Sequence, residues 1–267
     1  MARQPALALA RSHSVPALRG PLRRGVALGA CIVAAMGLLY LGARETPVFA
    51  LRVVEVEGAP ENVRQSVLQA LDDTHGTSLV SLDGDAVVRR LEALPSVQSV
   101  TYDRAFPHTL RLTVVPETPV AVVNQASTLW IVSVRGRVIG RTTAATAPGL
   151  PRIRYLAETP LAAGQFVSDE GTKTVLAALG EAPRRMLFPI HGARIEDGEL
   201  TFVLAGEGGS RPLLLLGEAV DARTKLRVAA LVLRKLSVEE RAALTYLDVT
   251  LPDRPVASTN LKSQVEP

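Results

Sequence analysis

Few residue types in this 267-residue chain could do chemistry, and their spacing directs most of them to structural work. The four histidines, His13, His75, His108 and His191, stand far apart with no cysteine beside them, so the paired spacing of a metal site is absent. Two acidic pairs, Asp72–Asp73 and Asp83/Asp85, have the residue types for general acid–base work. Each falls at an expected helix end, where carboxylates cap the helix and answer its dipole. The stretch Gly206-Glu207-Gly208-Gly209-Ser210 is glycine-rich, but a phosphate cradle needs a helix N-terminus next, and Arg211-Pro212 and an apolar run follow instead. A hairpin turn is expected there. No Gly-x-Ser-x-Gly elbow and no Gly-x-x-x-x-Gly-Lys loop is present. Catalytic, cofactor-binding and metal-binding residues are therefore not expected, and the chain reads as a binding protein rather than an enzyme.

Recognition is the chemistry that the pattern does allow. In Thr245–Leu251, Tyr246, Asp248 and Thr250 fall on one face of an alternating strand, and Leu247, Val249 and Leu251 on the other. As the last strand expected in the chain, it would lie at a sheet edge, which must be covered or used. A partner strand could pair with its backbone while side-chain pockets set specificity.

The elements that must position this strand begin with an apolar segment, Gly25–Ala43, flanked by Arg24 and Arg44 and free of ionised residues. Its nineteen residues would reach roughly 28 Å as a helix, close to the hydrocarbon thickness of a bilayer. Residues 1–24 carry Arg3, Arg11, Arg19, Arg23 and Arg24 and no acid, so this basic tail is expected in the cytoplasm, with all that follows Arg44 across the membrane. A cleaved signal would have a shorter apolar core, although Val48-Phe49-Ala50 could serve as its cleavage site. A lipoprotein box at Leu28–Cys31 would have its apolar core before the cysteine, whereas here most of it follows. An uncleaved single-span anchor is expected. Of the 30 Lys+Arg, five lie in the tail, leaving 25 against 26 Asp+Glu, a net of −1. The folded part thus offers no basic surface for nucleic acid. Cys31 is the lone cysteine, so the exported part has no disulfide and depends on its core.

After the segment, Leu51–Glu57 alternates as a half-buried strand ended by Gly58-Ala59-Pro60. Val63, Val67, Leu68 and Leu71 are spaced as a helix over 61–72. Asp83 opens a second helix with Val87, Val88, Leu91 and Leu94 on its stripe, and Pro95 stops it. Val97–Arg104 and Leu110-x-Leu112-x-Val114 read as a hairpin. The order is strand, helix, helix, strand, strand. Together with Val54-x-Val56-x-Gly58, Leu79-x-x-Leu82-Asp83, Leu94-Pro95-x-Val97, Phe106-Pro107-x-Thr109-Leu110 and Pro116–Ala121, it resembles a POTRA module, and more narrowly that of the FtsQ/DivIB cell-division family. Phe106-Pro107 stands where the family usually has Trp-Pro, and Glu117-Thr118-Pro119 lacks the arginine common in its closing motif.

Further strands are expected at Val120–Asn124, Leu129–Val134, Val138-Ile139, Ala193–Glu196, Leu200–Leu204 and Leu213–Leu216, with helices at Asp169–Leu179 and after an Asp221 cap. Lys225-Leu226 and Tyr246-Leu247-Asp248-Val249 are similar to the family's Lys-Leu pair and closing strand. The expected fold class is α+β: a transmembrane helix (25–43), a POTRA module of βααββ order (50–118), a β-rich domain (119–257) closed by a helix and a strand, and a disordered tail (258–267). The resemblance implies a scaffold of the bacterial divisome. It would sit in the inner membrane at the septum and couple assembly to septal wall synthesis. Its partners would be the membrane-anchored FtsB/DivIC and FtsL types, held at Tyr246, Leu247, Asp248, Val249, Thr250 and Leu251. A second partner surface is expected at the POTRA edge Ser99–Arg104. The reading from a different class is an anchored or secreted surface module or enzyme unrelated to division.

Overall fold

A computed structural model describes residues 21–45, 47–143, 146–147, 149–155, 157, 159–183 and 185–259, with the side chains of 21–24, 27, 39, 41, 43–45 and 47 outside the description. The expectations for the tail 1–20 and for 260–267 lie outside these residues. Helix α1, Pro21–Glu45, exposes Val26, Leu28, Ile32, Val33, Met36, Leu38 and Tyr40 to its surroundings. Among the described residues, no helix is long and apolar enough to cross a membrane.

The first sheet has three strands, β1 (Val53–Glu57), β2 (Val97–Ala105) and β3 (Thr109–Pro116), in the order β1-β3-β2. Strand β1 runs parallel to β3, and β2 pairs with β3 as a hairpin. Parallel pairing demands a crossover, here supplied by α2 (Glu61–Ala70) and α3 (Gly84–Glu92). Their buried Val63, Val67, Val87 and Leu91 pack with Leu110, Leu112 and Val114 of the central strand. Asp83 caps α3 as expected, its carboxylate accepting from Ala86 N at 3.0 Å. Asp73 does not answer a helix dipole; it follows α2 and accepts two bonds from Arg90. Gly58 turns the chain out of β1 at φ +81°, and a Cβ there would lie 2.6 Å from Val114 O, so the glycine is required twice over.

The second sheet has nine strands: β4 (Pro119–Gln125), β5 (Thr128–Ser133), β6 (Val138–Thr142), β7 (Arg152–Arg154), β8 (Ile190–Glu196), β9 (Glu199–Leu204), β10 (Leu213–Gly217), β11 (Leu244–Asp248) and β12 (Val256–Thr259). Their order is β12-β11-β10-β9-β8-β7-β4-β5-β6. Helices α4 (Glu170–Gly180) and α5 (Ala222–Lys235) supply Val175, Leu176, Leu226, Ala229 and Leu233 to its core. A short α6, Val238–Ala242, follows, with Ser237 and Glu240 forming a capping box. Asp221 holds the position before α5 but lies in the left-handed region (φ 55°) and makes no capping bond, contrary to the expected cap. Lys225 is buried, its ammonium donating to Leu216 O at 2.9 Å and Glu218 O at 2.8 Å, so this lysine ties α5 to the end of β10.

Two residues separate β3 from β4, and one buried guanidinium joins the sheets. Arg137, at the mouth of β6, donates to Val97 O and Glu92 O, both at 2.8 Å. The second carbonyl belongs to the last turn of α3, where the helix dipole favours a cation. Beside it, Arg135 pairs at 3.3 Å with the fully buried carboxylate of Glu117.

Candidate partner-binding edge

Strand β11 is laid down by the elements before it. The capping box starts α6 immediately after α5, and α6 ends at Ala242, which delivers Leu244 straight into the sheet. Strand β11 runs parallel to β10, with Tyr246 opposite Leu213, Leu247 opposite Leu214 and Asp248 opposite Leu215. Val249 extends the ladder by donating to Leu215 O at 2.9 Å. Leu247 and Val249 are fully buried, so the inward half of the expected alternation is present. Asp248 Oδ1 accepts from Thr250 N at 2.8 Å, a local turn that takes the chain off the strand. Thr250 packs on Gly217, where a Cβ would come within 2.7 Å of its methyl. Thr250 and Leu251 therefore belong to the turn and not to the strand.

The expectation that Thr245–Leu251 is the sheet edge is corrected. The chain reverses and returns as β12, antiparallel to β11, with Ser258 opposite Tyr246, Ala257 opposite Leu247 and Val256 opposite Asp248. The Thr245 hydroxyl donates to Ser258 O at 3.1 Å and pins the return. Ser258 and Thr259, expected in a disordered tail, are part of this strand. The sheet ends at β12, one strand beyond the expected position.

Register defines two rows running to that edge. Phe202, Leu214, Leu247 and Ala257 form the core-facing row, buried until the exposed Ala257. Val203, Leu213, Tyr246 and Ser258 form the opposite row, with Tyr246 at 37% exposure. Val256 and Leu251 are more exposed still. Tyr246 through Val249 thus stand one strand in from the edge and furnish its floor, while among the described residues β12 has no strand on its outer side. The missed element had one signal, the alternation room left by Pro255 before Val256–Thr259, but its four residues carry no apolar period.

Elsewhere, Glu181 and Arg223 line a cleft of about 430 Å³ between α4 and α5. Their mutual hydrogen bond holds the Glu181 carboxyl below its usual range and raises Arg223. This is a surface ion pair whose shifts account for one another. His191 is lowered, first by burial and then by Arg211 and Arg152. Among the described residues, no group of three or more His, Cys, Asp or Glu could hold a metal.

The three-stranded sheet with its two crossover helices, followed by a larger sheet, has the architecture of a POTRA-type module with a second, β-rich unit. Residues 49–115 match the model of the POTRA domain, FtsQ-type. The chain is 28% identical over 209 residues to the "Cell division protein FtsQ" of Myxococcus fulvus, spanning 76% of this chain and 71% of that protein. It is 35% identical over 96 residues to that of Mycolicibacterium smegmatis, spanning 36% of this chain but only 28% of the relative's length. The extracytoplasmic domain of the division protein DivIB from Geobacillus stearothermophilus aligns with 45% of this chain and 98% of its own length at 16% identity. Its TM-score of 0.30 is too low to carry an argument. Residues 49–115 are thus an FtsQ-type POTRA domain, and the chain is similar to FtsQ cell-division proteins over most of its length.

Proposed function

We infer that this protein is a non-enzymatic scaffold of the bacterial division machine. Helix α1 anchors it in the cytoplasmic membrane, with the basic tail inside and both sheets outside. This reading rests on the uncharged span Gly25–Ala43, its arginine flanks and the apolar side chains exposed along the helix. Anchoring confines the protein to the membrane and raises the effective concentration of other single-span proteins around it.

The observation that carries the mechanism is the edge of β12, which no strand covers among the described residues. Val256-Ala257-Ser258-Thr259 has no charge and no proline, and so lacks two of the usual devices that blunt an edge. A partner of the FtsB/DivIC type, together with FtsL, adds a strand there. Its backbone pairs with β12, and its side chains meet Val256 and Tyr246 on one face and the Ala257–Leu247 row on the other. Through this shared sheet the scaffold couples divisome assembly to septal wall synthesis.

The test is depletion in the host cell, with septa counted and cell length measured. Cells that grow long and undivided, and are rescued by wild type but not by Ala257→Pro or Tyr246→Glu, support the reading. Normal division after depletion rejects it in favour of an anchored surface module with another task.

A further inference from the structure

We propose that the end of the POTRA module nearest α1 is a footing that rests in the outer interface of the membrane carrying that helix. The inference depends on α1 being the anchor. Three segments converge at this end. Leu79 N donates to Phe49 O at 2.8 Å, Leu51 N to Thr77 O at 2.9 Å, and Arg52 N to His108 O at 3.0 Å, which gathers 47–53, 75–79 and 105–109. The Phe49 and Phe106 rings meet edge to face at 5.7 Å, and Phe106 is 54% exposed, with Val48 at 56% and Val53 at 47%. The three segments contain Arg52, His75 and His108 and no carboxylate. The nearest acids along the chain are Glu45, Glu55 (engaged by Arg111), Asp72, Asp73 (engaged by Arg90) and Asp103.

Tether length decides the occupant. Phe49 lies four chain steps after Glu45, a reach of at most roughly 14 Å. The headgroup layer beyond the hydrocarbon is itself roughly 5–8 Å deep. The ring pair cannot leave the vicinity of the bilayer, and an apolar tip with a neighbouring arginine suits that layer. Seated there, the module has a fixed height and tilt, and so does the β12 edge beyond it.

Quenching by brominated lipid tests the footing with the full chain in phosphatidylethanolamine–phosphatidylglycerol bilayers, bromine placed near the glycerol end of the acyl chains. In a Trp130→Phe background, single indoles are introduced by Phe106→Trp, Leu38→Trp and Val115→Trp. The Phe106→Trp and Leu38→Trp proteins lose emission in brominated lipid, whereas Val115→Trp, at the far end of β3, does not. Loss for Leu38→Trp without loss for Phe106→Trp overturns the footing and leaves the anchor standing. No loss for either rejects the anchor itself. Equal loss at Val115→Trp and Phe106→Trp also overturns the proposal, because the whole module then lies on the lipid.

Discussion

The two sheets end in edges that are treated in opposite ways. At β2, the outer strand of the POTRA sheet, the Glu92 carboxylate accepts from the Val100 amide at 3.3 Å, and the strand carries Asp103 and Arg104. Arg104 folds back to donate to Leu82 O at 2.7 Å. At β12, Val256–Thr259 carry no charge, and the side-chain bond to this strand comes from Thr245 of β11. A blunted edge resists strand addition and a bare one invites it. The difference teaches that the expected POTRA partner surface at Ser99–Arg104 is the weaker candidate, although β2 does lie at the sheet's edge.

The comparison breaks most violently at the cores beneath the edges. Phe202→Ala, under the row that leads to β12, is expected to cost about 3–5 kcal/mol and to abolish partner capture along with it. Leu112→Ala in the POTRA core costs about 2–5 kcal/mol by the same reasoning but leaves capture by the surviving β12 edge intact. Thermal melts and pull-down with an FtsB/DivIC-type protein separate the two, and equal loss of capture would remove the distinction.

A proline scan of Val256, Ala257 and Ser258 sharpens the edge itself. Where the lost N–H pointed outward, capture weakens tenfold or more, about 1.4 kcal/mol, with little change in melting. Where it was bonded to β11, melting falls as well. Thr101→Pro and Asp103→Pro in β2 leave the partner's Kd unchanged; weakened binding there would move the site to the POTRA edge.

A smaller effect tests the blunting. Glu92→Ala leaves the Val100 amide without its acceptor, at a cost of about 0.5–1.5 kcal/mol, and speeds hydrogen exchange at that amide. Unchanged exchange at Val100 would show that β2 is protected by something else.

The smallest effect concerns pH. The folded-state pKa of His191 lies below its ordinary 6.5, so the folded protein resists its protonation. Stability is therefore full above 6.5 and declines as pH falls from there towards the folded value, because the unfolded chain takes up the proton first. His191→Asn should flatten this slight decline in melting temperature, and an unaltered slope would assign it to other groups.

Much of the POTRA unit was legible from the sequence because its signals are local. The stripes of α2 and α3, the Asp83 cap and the alternation of β3 each need only a few neighbouring residues to be recognised. The candidate site was half legible. Leu247 and Val249 showed their inward face, and Tyr246 its outward one, but the turn through Asp248 and Thr250 rests on a side-chain bond that spacing does not reveal. Asp221 had the type of a cap and the backbone of something else. Strand β7, three residues long, and β12, four, are too short to carry a period and exist only because β4, β8 and β11 pair with them.

The sequence by itself determined the uncharged span and its arginine flanks, the βααββ order and the FtsQ-type POTRA module, since these are properties of composition and short-range pattern. Only the tertiary structure decided which strand is outermost and which guanidinium binds the sheets together. Both depend on residues distant in the chain. Arg137 finds Glu92 and Val97 across forty or more positions, and β12 folds back over β11 because a strand's place in a sheet is set by what pairs beside it, not by its own residues.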